Sequence, residues 1–341
     1  MASQTDDQSP RRPKKRSRKK PAVQALIREL KAGRRTALAQ AITLVESQLE
    51  KDAPAARKLI EACLQSERNS LRIGITGVPG VGKSTFIEQL GLQFLKEGKK
   101  VAVLAVDPSS SLTKGSILGD KTRMQELGRS ENAFIRPSPA GDSLGGVARK
   151  TRETISLCEA AGFDILLIET VGVGQSETAV HGMVDFFLLL KIAGAGDELQ
   201  GIKRGIVEMA DALVINKADG PNLEAARRAQ TIFRNALHLY PPKPDGWTPE
   251  VLLCSATEGR GISEIRNLIT RYRDERVQSG TFQAKRSRQN VSWMKRTVEA
   301  QLQTRFFSEA KIRERYQKLE QEVANARMSP FQAAEELLAL A

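Results

Sequence analysis

The sequence predicts an α/β protein built on a doubly wound, mainly parallel sheet. Six short apolar runs recur between residues 71 and 255, and segments long enough for a helix separate most of them. Strands of a parallel sheet are covered on both faces, so they appear as continuous apolar runs rather than alternating ones. A glycine-rich loop directly after the first run supports the same fold, because such loops join a strand to a helix. The runs are LRIGIT (71–76), VAVLAV (101–106), DILLIE (164–169), DFFLLL (185–190), ALVIN (212–216) and VLLCS (251–255).

Helical patterns precede and follow this alternating region. From residue 22 to about residue 65, apolar residues recur at spacings of three and four, which predicts an N-terminal helical segment. Beyond about residue 278 the apolar runs stop, and a basic amphipathic pattern predicts helices whose apolar stripe must pack on the domain or on a second subunit. We therefore expect a disordered basic tail (1–20), a helical segment (21–66), an α/β domain (67–278) and a C-terminal helical extension (279–341).

The composition excludes several classes of protein. Hydrophobic residues make up 40% and charged residues 27% of the chain, as in ordinary soluble proteins, and no apolar run approaches the roughly 18 residues of a membrane span. The three cysteines are widely separated, a usage that reducing compartments tolerate, so we expect a cytoplasmic protein. Because the chain has only two histidines, a His/Cys metal site is not expected, and any metal should be held by oxygen atoms.

Positive charge is concentrated near the N-terminus. The chain has a net charge of +13, and eight basic residues lie between positions 11 and 20. Such a segment can bind nucleic acid or an anionic surface by counterion release, or it can be a solvated, disordered tail. We favour the solvated tail, because the stretch has no aromatic residue to stack on a base. Nucleic acid and membranes are therefore not expected partners. A mitochondrial presequence is disfavoured by Asp6, Asp7 and the dense lysine and proline content, but this alternative stays open.

The strongest motif follows the first apolar run and has the form G-x-x-x-x-G-K-[ST]. In this motif, glycines let backbone N–H groups surround phosphate oxygens at the positive end of a helix. Lys83 is then expected to reach the β- and γ-phosphates, and the Ser84 hydroxyl to bind Mg²⁺. An amphipathic helical pattern follows the motif, as this interpretation requires. The predicted phosphate-binding residues are Gly77, Val78, Pro79, Gly80, Val81, Gly82, Lys83 and Ser84.

A second motif, N-K-x-D, begins at the end of the apolar run 212–216. The Asp219 carboxylate is expected to accept hydrogen bonds from the N1–H and 2-amino groups of guanine, neither of which adenine presents. A motif this short often occurs by chance. Its position at a strand end, downstream of the phosphate loop, strengthens its interpretation as a guanine-binding segment. It predicts GTP as the nucleotide. The predicted guanine-binding residues are Asn216, Lys217 and Asp219, with Ser255 and Ala256 suited to a backbone contact with guanine O6.

Acidic residues at strand and loop ends predict a Mg²⁺ site. Mg²⁺ prefers octahedral oxygen ligands and usually keeps several waters, so one or two of these carboxylates can act through water. A single carboxylate could instead cap a helix or pair with a lysine, and this alternative stays open for Asp107. The backbone N–H of Gly172, three residues beyond Glu169, is expected to bond the γ-phosphate. The predicted Mg²⁺ ligands are Ser84, Asp107, Asp120 and Glu169.

The predicted catalytic residues are Lys83, Glu169 and Lys203. Gln175 lies three residues beyond Gly172 rather than directly after it, and no arginine of the switch segments is positioned by sequence alone to act as a finger. Intrinsic hydrolysis should therefore be slow. We hypothesise that the glycine-rich stretch 194–205 orders when a partner binds and that Lys203 and Arg204 supply the missing cation. Lys203 would then contribute either to the nucleotide or to the interface that transmits its state. The alternative is an ordinary surface loop with solvated charges.

Between these motifs the sequence resembles the MeaB/ArgK family of P-loop GTPases, accessory chaperones of adenosylcobalamin-dependent methylmalonyl-CoA mutase. The resemblance rests on long strings such as VAVLAVDPSSSLTKGSILGDKTRM, ILLIETVGVGQSE and IAGAGDELQGIKRGIVEMADALVINKAD, and it covers roughly residues 22–320. It implies a P-loop GTPase domain over 67–278, a homodimer joined largely through the C-terminal extension, and slow hydrolysis of GTP to GDP. The family's P-loop contacts extend to Thr85, and its Mg²⁺ and guanine residues fall on the positions already named.

The resemblance also implies partners. It implies a complex with the mutase in which the GTPase gates delivery of the cobalamin cofactor and protects or rescues the mutase. The cobalamin adenosyltransferase is a further candidate partner. Whether the client is the methylmalonyl or the related isobutyryl enzyme stays open. Two parts depart from the family pattern, namely the basic 1–20 extension and the C-terminal arm, which is only loosely similar.

Three other classes of protein compete with this interpretation. A nickel-delivery GTPase of related fold would need metal-handling sequence rich in histidine or cysteine. A P-loop kinase would use ATP and would not need the N-K-x-D motif. A scaffold with a vestigial site would not need an intact Lys83, Ser84 and Glu169.

Overall fold

The computed structural model describes residues 23–47, 49–64, 70–106, 124–137, 144–170, 176–194 and 204–340. Within them, one sheet contains seven strands that all pair in parallel. The doubly wound α/β fold predicted from the sequence is confirmed. The strands are β1 (Leu71–Gly77), β2 (Val101–Val106), β3 (Ala133–Arg136), β4 (Ile165–Thr170), β5 (Phe186–Ile192), β6 (Ala212–Asn216) and β7 (Glu250–Leu253), and their order across the sheet is β3-β2-β4-β1-β5-β6-β7.

Helices link the consecutive strands, because a parallel pair can be joined only by a connection that crosses back along the sheet. Further helices precede the first strand and follow the last. The α-helices are α1 (Val23–Lys31), α2 (Arg35–Glu46), α3 (Ala53–Leu64), α4 (Lys83–Lys96), α5 (Gln125–Arg129), α6 (Leu144–Ala160), α7 (Ser176–His181), α8 (Arg204–Met209), α9 (Leu223–Leu237), α10 (Ile262–Gln278), α11 (Thr281–Ser308), α12 (Ala310–Ala324) and α13 (Pro330–Leu338).

Apolar side chains fill both faces of the sheet. On one face, α4 and α10 pack against Ile73 and its neighbours, and Phe86 and Ile265 are fully buried there. On the other face, helices α1, α2, α3, α6 and α7 form a second core that includes Leu38 and Phe187. Helices α8 and α9 pack on β6 and β7. Most strand residues are therefore buried, which is why the strands appear in the sequence as continuous apolar runs.

Strand β3 is absent from the runs predicted by the apolar pattern. It has only four residues, it pairs with β2 at one edge of the sheet, and Ile135 and Arg136 at its end are half-buried. A short edge strand needs little apolar sequence, because one side of its hydrogen-bonding ladder has no neighbour. One predicted boundary is also displaced, since β7 ends at Leu253 and leaves Cys254 and Ser255 in the loop beyond it.

The register of the central strands brings several predicted motifs to one edge of the sheet. β1 pairs with β4, so that Ile75 lies beside Glu169, and it pairs with β5 on its other side. β5 pairs in turn with β6, whose last residue is Asn216. Because all strands are parallel, the ends of β1, β4, β6 and β7 reach the same carboxyl edge. Open α/β sheets bind ligands at that edge.

The opposite edge carries a buried network of charges. Arg72 donates to both carboxylate oxygens of Glu159 at 2.7 and 2.9 Å, and the Ser70 hydroxyl donates to the same carboxylate at 2.5 Å. Arg286 of α11 donates to Asp185 at 2.8 and 2.6 Å and to the Ser70 carbonyl oxygen at 2.7 Å. Burial acts to raise the pKa of Glu159, but the charge and hydrogen bonds of Arg72, helped by Arg286 and Ser70, hold it below its usual value. Helix α11 is thereby tied to the sheet.

The C-terminal helices leave apolar side chains exposed. Helices α12 and α13 form a small core of their own around Ile312 and Leu319. A groove of about 590 Å³ lies between the end of α11 and α13, with Phe306 and Leu337 in its lining. We call Val291, Met294, Val298 and Leu302 the α11 stripe; all four are exposed, as are Phe307, Tyr316, Phe331 and Leu338.

Candidate functional site

The glycine-rich loop connects β1 to α4, and its shape depends on two glycines. Gly77 ends β1, where an added Cβ would lie 2.6 Å from the carbonyl oxygen of Leu190. Gly82 has a φ of +93°, and an added Cβ would lie 2.7 Å from the Nδ2 atom of Asn216. A side chain at either position would therefore collide with a neighbouring strand end. Helix α4 starts at Lys83, so its first N–H groups face the loop.

The side chain of Lys83, the first residue of α4, reaches back into this loop, and the residue is only 9% exposed. Its ammonium group donates to the carbonyl oxygens of Gly77 at 2.9 Å and Val78 at 3.3 Å. Burial lowers the pKa of Lys83, and the negative charges of Glu169 and Glu177 oppose that shift. The lysine predicted to reach phosphates is thus a buried cation on which two carboxylates act.

Asn216 joins the phosphate loop to the loop after β7. Its side chain is 2% exposed, and its Nδ2 atom donates to the carbonyl oxygen of Val81 at 2.8 Å. Its Oδ1 atom accepts from the backbone N–H of Ala256 at 3.1 Å and from the thiol of Cys254 at 3.2 Å. Burial, and then the charge of Asp219, raises the pKa of Cys254 to about 12, so the sulfur keeps the proton that it donates. One side chain thereby sets the spacing between the two motifs.

Asp219 follows on the same loop, and Ser255 orients its carboxylate. The Ser255 hydroxyl donates to the Oδ2 atom of Asp219 and accepts from the backbone N–H of Glu258 at 3.3 Å. Ser255 is fully buried, so the position of this hydroxyl is fixed by its surroundings. A carboxylate oriented in this way is suited to accept hydrogen bonds from two adjacent donors of a ligand.

Lys217 turns the chain between Asn216 and Asp219. Its φ of +57° is rare for a residue with a Cβ atom. The side-chain amide of Asn222 donates to its carbonyl oxygen at 2.7 Å, and the next N–H, of Ala218, donates to the Cys254 carbonyl oxygen at 2.9 Å. Such strain persists only where neighbours fix the backbone, and it is common at ligand sites.

Oxygen donors lie near the phosphate loop where a divalent cation would be needed. Ser84 is the second residue of α4, and Glu169 is the last but one of β4. The Thr170 hydroxyl donates to the Thr76 hydroxyl at 2.8 Å, which holds the ends of β4 and β1 together. In addition, the buried Oε2 atom of Glu177 has no hydrogen-bond partner among the described residues. Hydroxyl and carboxylate oxygens are the ligands that Mg²⁺ takes, so this donor set fits Mg²⁺.

The structure brings together most of the predicted site residues. The phosphate loop, Asn216, Asp219, Ser255 and Ala256 meet through the contacts given above. Val78, Pro79 and Gly80 of the loop are exposed, as is Thr85 in the first turn of α4. Four predicted residues, and the glutamine noted with them, lie outside the described residues: Asp107, Asp120, Gly172, Lys203 and Gln175.

Three residues of the site were missed by the sequence patterns. Asn222 supports the backbone of Lys217, but it belongs to no motif. The hydroxyl pair formed by Thr170 is visible only once the strand register is known. Glu177 lies in α7, and only its burial near the phosphate loop draws attention to it.

In the ranges given above, no group of three or more His, Cys, Asp and Glu side chains could hold a metal ion. Across the same ranges, no helix has the length and apolar character to cross a membrane. The three cysteines are buried, and none of them forms a disulfide bond.

Comparison with known proteins identifies the family. Residues 38–311 match the family model described as methylmalonyl-CoA mutase-associated GTPase MeaB. The GTPase ArgK of Escherichia coli K12 is 48% identical over 304 residues, which are 89% of this chain and 92% of that protein. The mitochondrial methylmalonic aciduria type A homolog of Mus musculus is 45% identical over 326 residues, which are 93% of this chain and 79% of that protein.

A solved structure supports the same assignment. The crystal structure of a LAO/AO transport system kinase has a TM-score of 0.75 and 40% sequence identity, covering 93% of this chain and 97% of that one. Relatives of the chain are named as GTPases, and the chain is a GTPase with a guanine nucleotide as its substrate. On the extent of the family match and the identity to its members, the chain belongs to the MeaB family of methylmalonyl-CoA mutase-associated GTPases.

Proposed function

We propose that the phosphate loop and the N-K-x-D segment together bind one GTP molecule, with Mg²⁺ as the metal ion. The observation that carries this proposal is the buried side chain of Asn216, which bonds to Val81 in the phosphate loop and to Ala256 beyond β7. Because these bonds fix the distance between the two loops, a single nucleotide can contact both without either loop moving. The proposed guanine contacts are Asn216, Lys217, Asp219, Ser255 and Ala256.

Lys83 is the proposed phosphate ligand within the loop. It donates to two carbonyl oxygens of the loop, those of Gly77 and Val78. Phosphate oxygens carry full negative charge, so an ammonium group bonds them more strongly than it bonds carbonyl dipoles. We therefore propose that Lys83 exchanges these carbonyl bonds for the β- and γ-phosphates when GTP binds. In the transition state it would offset charge that develops on the transferred group.

The metal would be held by oxygen ligands from several elements. When bound, Mg²⁺ would offset negative charge on the phosphates during transfer. Glu169 is the carboxylate at the end of β4, and Ser84 the hydroxyl at the start of α4. The Gly172 N–H is proposed as the contact that distinguishes GTP from GDP. The proposed metal ligands are Ser84, Asp107, Asp120 and Glu169.

We further propose that the chain is a chaperone of adenosylcobalamin-dependent methylmalonyl-CoA mutase. In this proposal it docks on the mutase, gates delivery of the cobalamin cofactor, and protects or rescues the mutase from inactivation. Support comes from the family, which is described as mutase-associated, and from the name of the mouse relative. The cobalamin adenosyltransferase, which makes the cofactor, is a second proposed partner.

Co-purification with the cognate mutase tests the docking proposal. The tagged chain is mixed with mutase in the presence of a non-hydrolysable GTP analogue, of GDP, or of no nucleotide. We expect a complex whose yield depends on the nucleotide, and we expect Asp219→Asn to lose that dependence on guanine nucleotides. An active GTPase that retains no mutase under any of the three conditions would contradict the docking proposal while leaving the GTPase assignment intact.

Partner-stimulated hydrolysis is the second element of the proposed function. Residue Lys203 would supply a cation when the mutase orders the stretch 194–205, and groups supplied in this way accelerate hydrolysis by roughly 10³- to 10⁵-fold. Single-turnover hydrolysis with and without mutase tests this idea for the wild type and Lys203→Ala. If the mutase stimulates the variant as much as the wild type, Lys203 has no part in the mechanism. If the mutase does not stimulate the wild type, mutase binding and GTP hydrolysis are not coupled.

The organisation of the whole chain completes the proposal. We propose a GTPase domain over 67–278 with helical segments at 21–66 and 279–341, and a homodimer joined largely through the C-terminal segment. The α11 stripe supports the homodimer, because contiguous exposed apolar surface on a soluble helix favours association. The three cysteines are buried and form no disulfide bond, as is usual in a reducing compartment, and we propose the cytoplasm.

A further inference from the structure

Glu177 is a buried acid near the phosphate loop that is not among the proposed metal or nucleotide ligands. It lies in the first turn of α7 and is 4% exposed. Its Oε2 atom has no hydrogen-bond partner among the described residues, and neither does the hydroxyl of its neighbour Ser176. Buried carboxylate oxygens in folded proteins nearly always accept a hydrogen bond, because burial without a donor removes the bonds that water makes to them in the unfolded chain. The missing donor therefore needs an explanation.

The position of Glu177 points to the phosphate end of the site. Helix α7 packs against β1 and β4, the strands that lead into the phosphate loop and carry Glu169. The carboxylate charges of Glu169 and Glu177 both act on the ammonium group of Lys83, which lies inside the phosphate loop. Glu177 is thus a second acid close to the lysine that we propose for phosphate binding.

The chemistry of a bound nucleotide limits which donor could reach this oxygen. Phosphate oxygens are acceptors and would repel a carboxylate at short range. A divalent cation bound to the phosphates keeps several water molecules, and these are strong donors because the cation polarises them. Carboxylates that accept from such ligands orient them, and losing one typically weakens metal binding by about 10- to 100-fold.

We propose that Glu177 is an outer-shell residue of the metal site, where its Oε2 atom accepts a hydrogen bond from a water molecule bound to Mg²⁺. Glu177 is a positioning residue in this role, because it acts through the water and not on the nucleotide. The inference rests on the proposed function, which supplies the Mg²⁺–nucleotide complex.

Release of a fluorescent GDP analogue at increasing free Mg²⁺ tests the inference without relying on hydrolysis. Wild type should release GDP more slowly as Mg²⁺ rises. Glu177→Ala should need about 10- to 100-fold more Mg²⁺ for the same effect. Glu177→Gln should shift the requirement less, because its amide oxygen can still accept while the charge is lost. In EDTA both variants should release GDP at the wild-type rate.

The matched control is Glu153→Gln, which alters a half-buried acid paired with Arg149 at 3.6 Å on α6. It should keep the wild-type Mg²⁺ requirement. A folded Glu177→Gln with an unchanged requirement, or faster GDP release by the same factor in EDTA and in excess Mg²⁺, would overturn the inference and leave Glu177 with a packing role. If the rate of GDP release from the wild type does not depend on Mg²⁺, the result contradicts the proposed Mg²⁺ site and not the role of Glu177 alone.

Discussion

Selectivity for the base depends on the side chain of Asp219. Its carboxylate is oriented by the buried Ser255 hydroxyl, and the neighbouring Asn216 is fixed by three hydrogen bonds. Guanine offers two adjacent donors to such a carboxylate, whereas adenine would leave it without a partner. We expect guanine nucleotides to bind at least about a hundredfold more tightly than adenine nucleotides.

Asp219→Asn should move this preference to xanthine nucleotides, whose 2-oxo group suits an amide donor. Calorimetric titration with GDP, XDP and ADP would measure the change, and we expect GDP affinity to fall by at least about a hundredfold while XDP binding is gained. Asp245→Asn, a change in the loop before β7, should leave all three affinities as in the wild type. Equal ADP and GDP affinities in the wild type would contradict the guanine assignment.

Substitutions of Lys83 and Glu169 should affect nucleotide binding and GTP hydrolysis to different extents. Lys83→Ala removes a cation that contacts the nucleotide in both the ground and the transition state, so nucleotide binding should weaken and hydrolysis should be abolished. Glu169→Ala acts through the metal and the γ-phosphate, so hydrolysis should fall by about 10²-fold or more with a smaller effect on GDP affinity. Single-turnover assays and GDP titrations measure the two effects, and normal hydrolysis by Glu169→Ala would remove this residue from the metal site.

Among the described residues, the motifs predicted that the phosphate loop and the N-K-x-D segment lie close together, but not how they are held. The spacing of the phosphate-loop and N-K-x-D motifs is visible in the chain, because both motifs follow apolar strands directly. The left-handed turn at Lys217 and the hydrogen bond from the Cys254 thiol to Asn216 are not visible in the sequence. Both depend on residues that β7 and the loop beyond β6 bring close together. Such contacts come from register and loop geometry, which a local pattern does not contain.

At the scale of elements, helix α7 carries a pH-sensitive residue at its end. His181 stacks edge-on against Phe187 with ring centroids 5.4 Å apart. Burial lowers its pKa from 6.5 to about 4, with the charges of Lys285 and Lys243 adding to the shift and that of Asp211 opposing it. Between these two pH values the unfolded chain binds a proton that the folded chain does not. His181 therefore lowers stability as pH falls through that window.

Relative to His181→Gln, the wild type should therefore lose up to about 3 kcal/mol of unfolding free energy as the pH falls from 7 to 4. Urea denaturation at a series of pH values measures it. The exposed His238, the other histidine of the chain, provides the control, and His238→Gln should keep the wild-type profile. A pH profile of His181→Gln parallel to that of the wild type would show that His181 is already protonated or accessible in the fold.

Element prediction succeeded where burial was complete and failed where it was partial. Six strands appear as apolar runs because both faces of the sheet are covered there. β3 escaped detection because an edge strand of four residues that ends in Arg136 has neither the length nor the pattern of the others. The C-terminal helices were predicted as amphipathic, yet the pattern alone could not say which apolar residues would be covered.

At the scale of the whole molecule, the α11 stripe predicts association. Its four residues lie on the side of α11 away from the residues that face the body of the protein, namely Phe282, Arg286 and Gln289. A charge placed in the stripe would lose its hydrating water in any interface formed there, at a cost of several kcal/mol. Leu302→Glu should therefore weaken self-association by at least about a hundredfold, because about 1.4 kcal/mol corresponds to a factor of ten.

Sedimentation velocity over a range of concentrations measures this effect. Ala300→Glu adds the same charge to the opposite side of α11, where the side chain is also exposed, and should associate like the wild type. A wild type that stays monomeric at all concentrations, or equal behaviour of the two variants, would contradict the proposed homodimer through this helix.

The bond between Arg286 and Asp185 has a consequence for how the protein is made. The two residues are 101 positions apart, and Arg286 also reaches Ser70, 216 positions earlier. A nascent chain that ends at residue 278 already contains every strand of the sheet, yet Asp185 lacks its guanidinium partner. Breaking a buried pair of this kind costs about 3–5 kcal/mol, a large share of the stability of an ordinary domain. We therefore expect the segment 67–278 to reach its full stability only after the ribosome has released α11, which would couple the folding of the two segments on either side of the proposed boundary at 278.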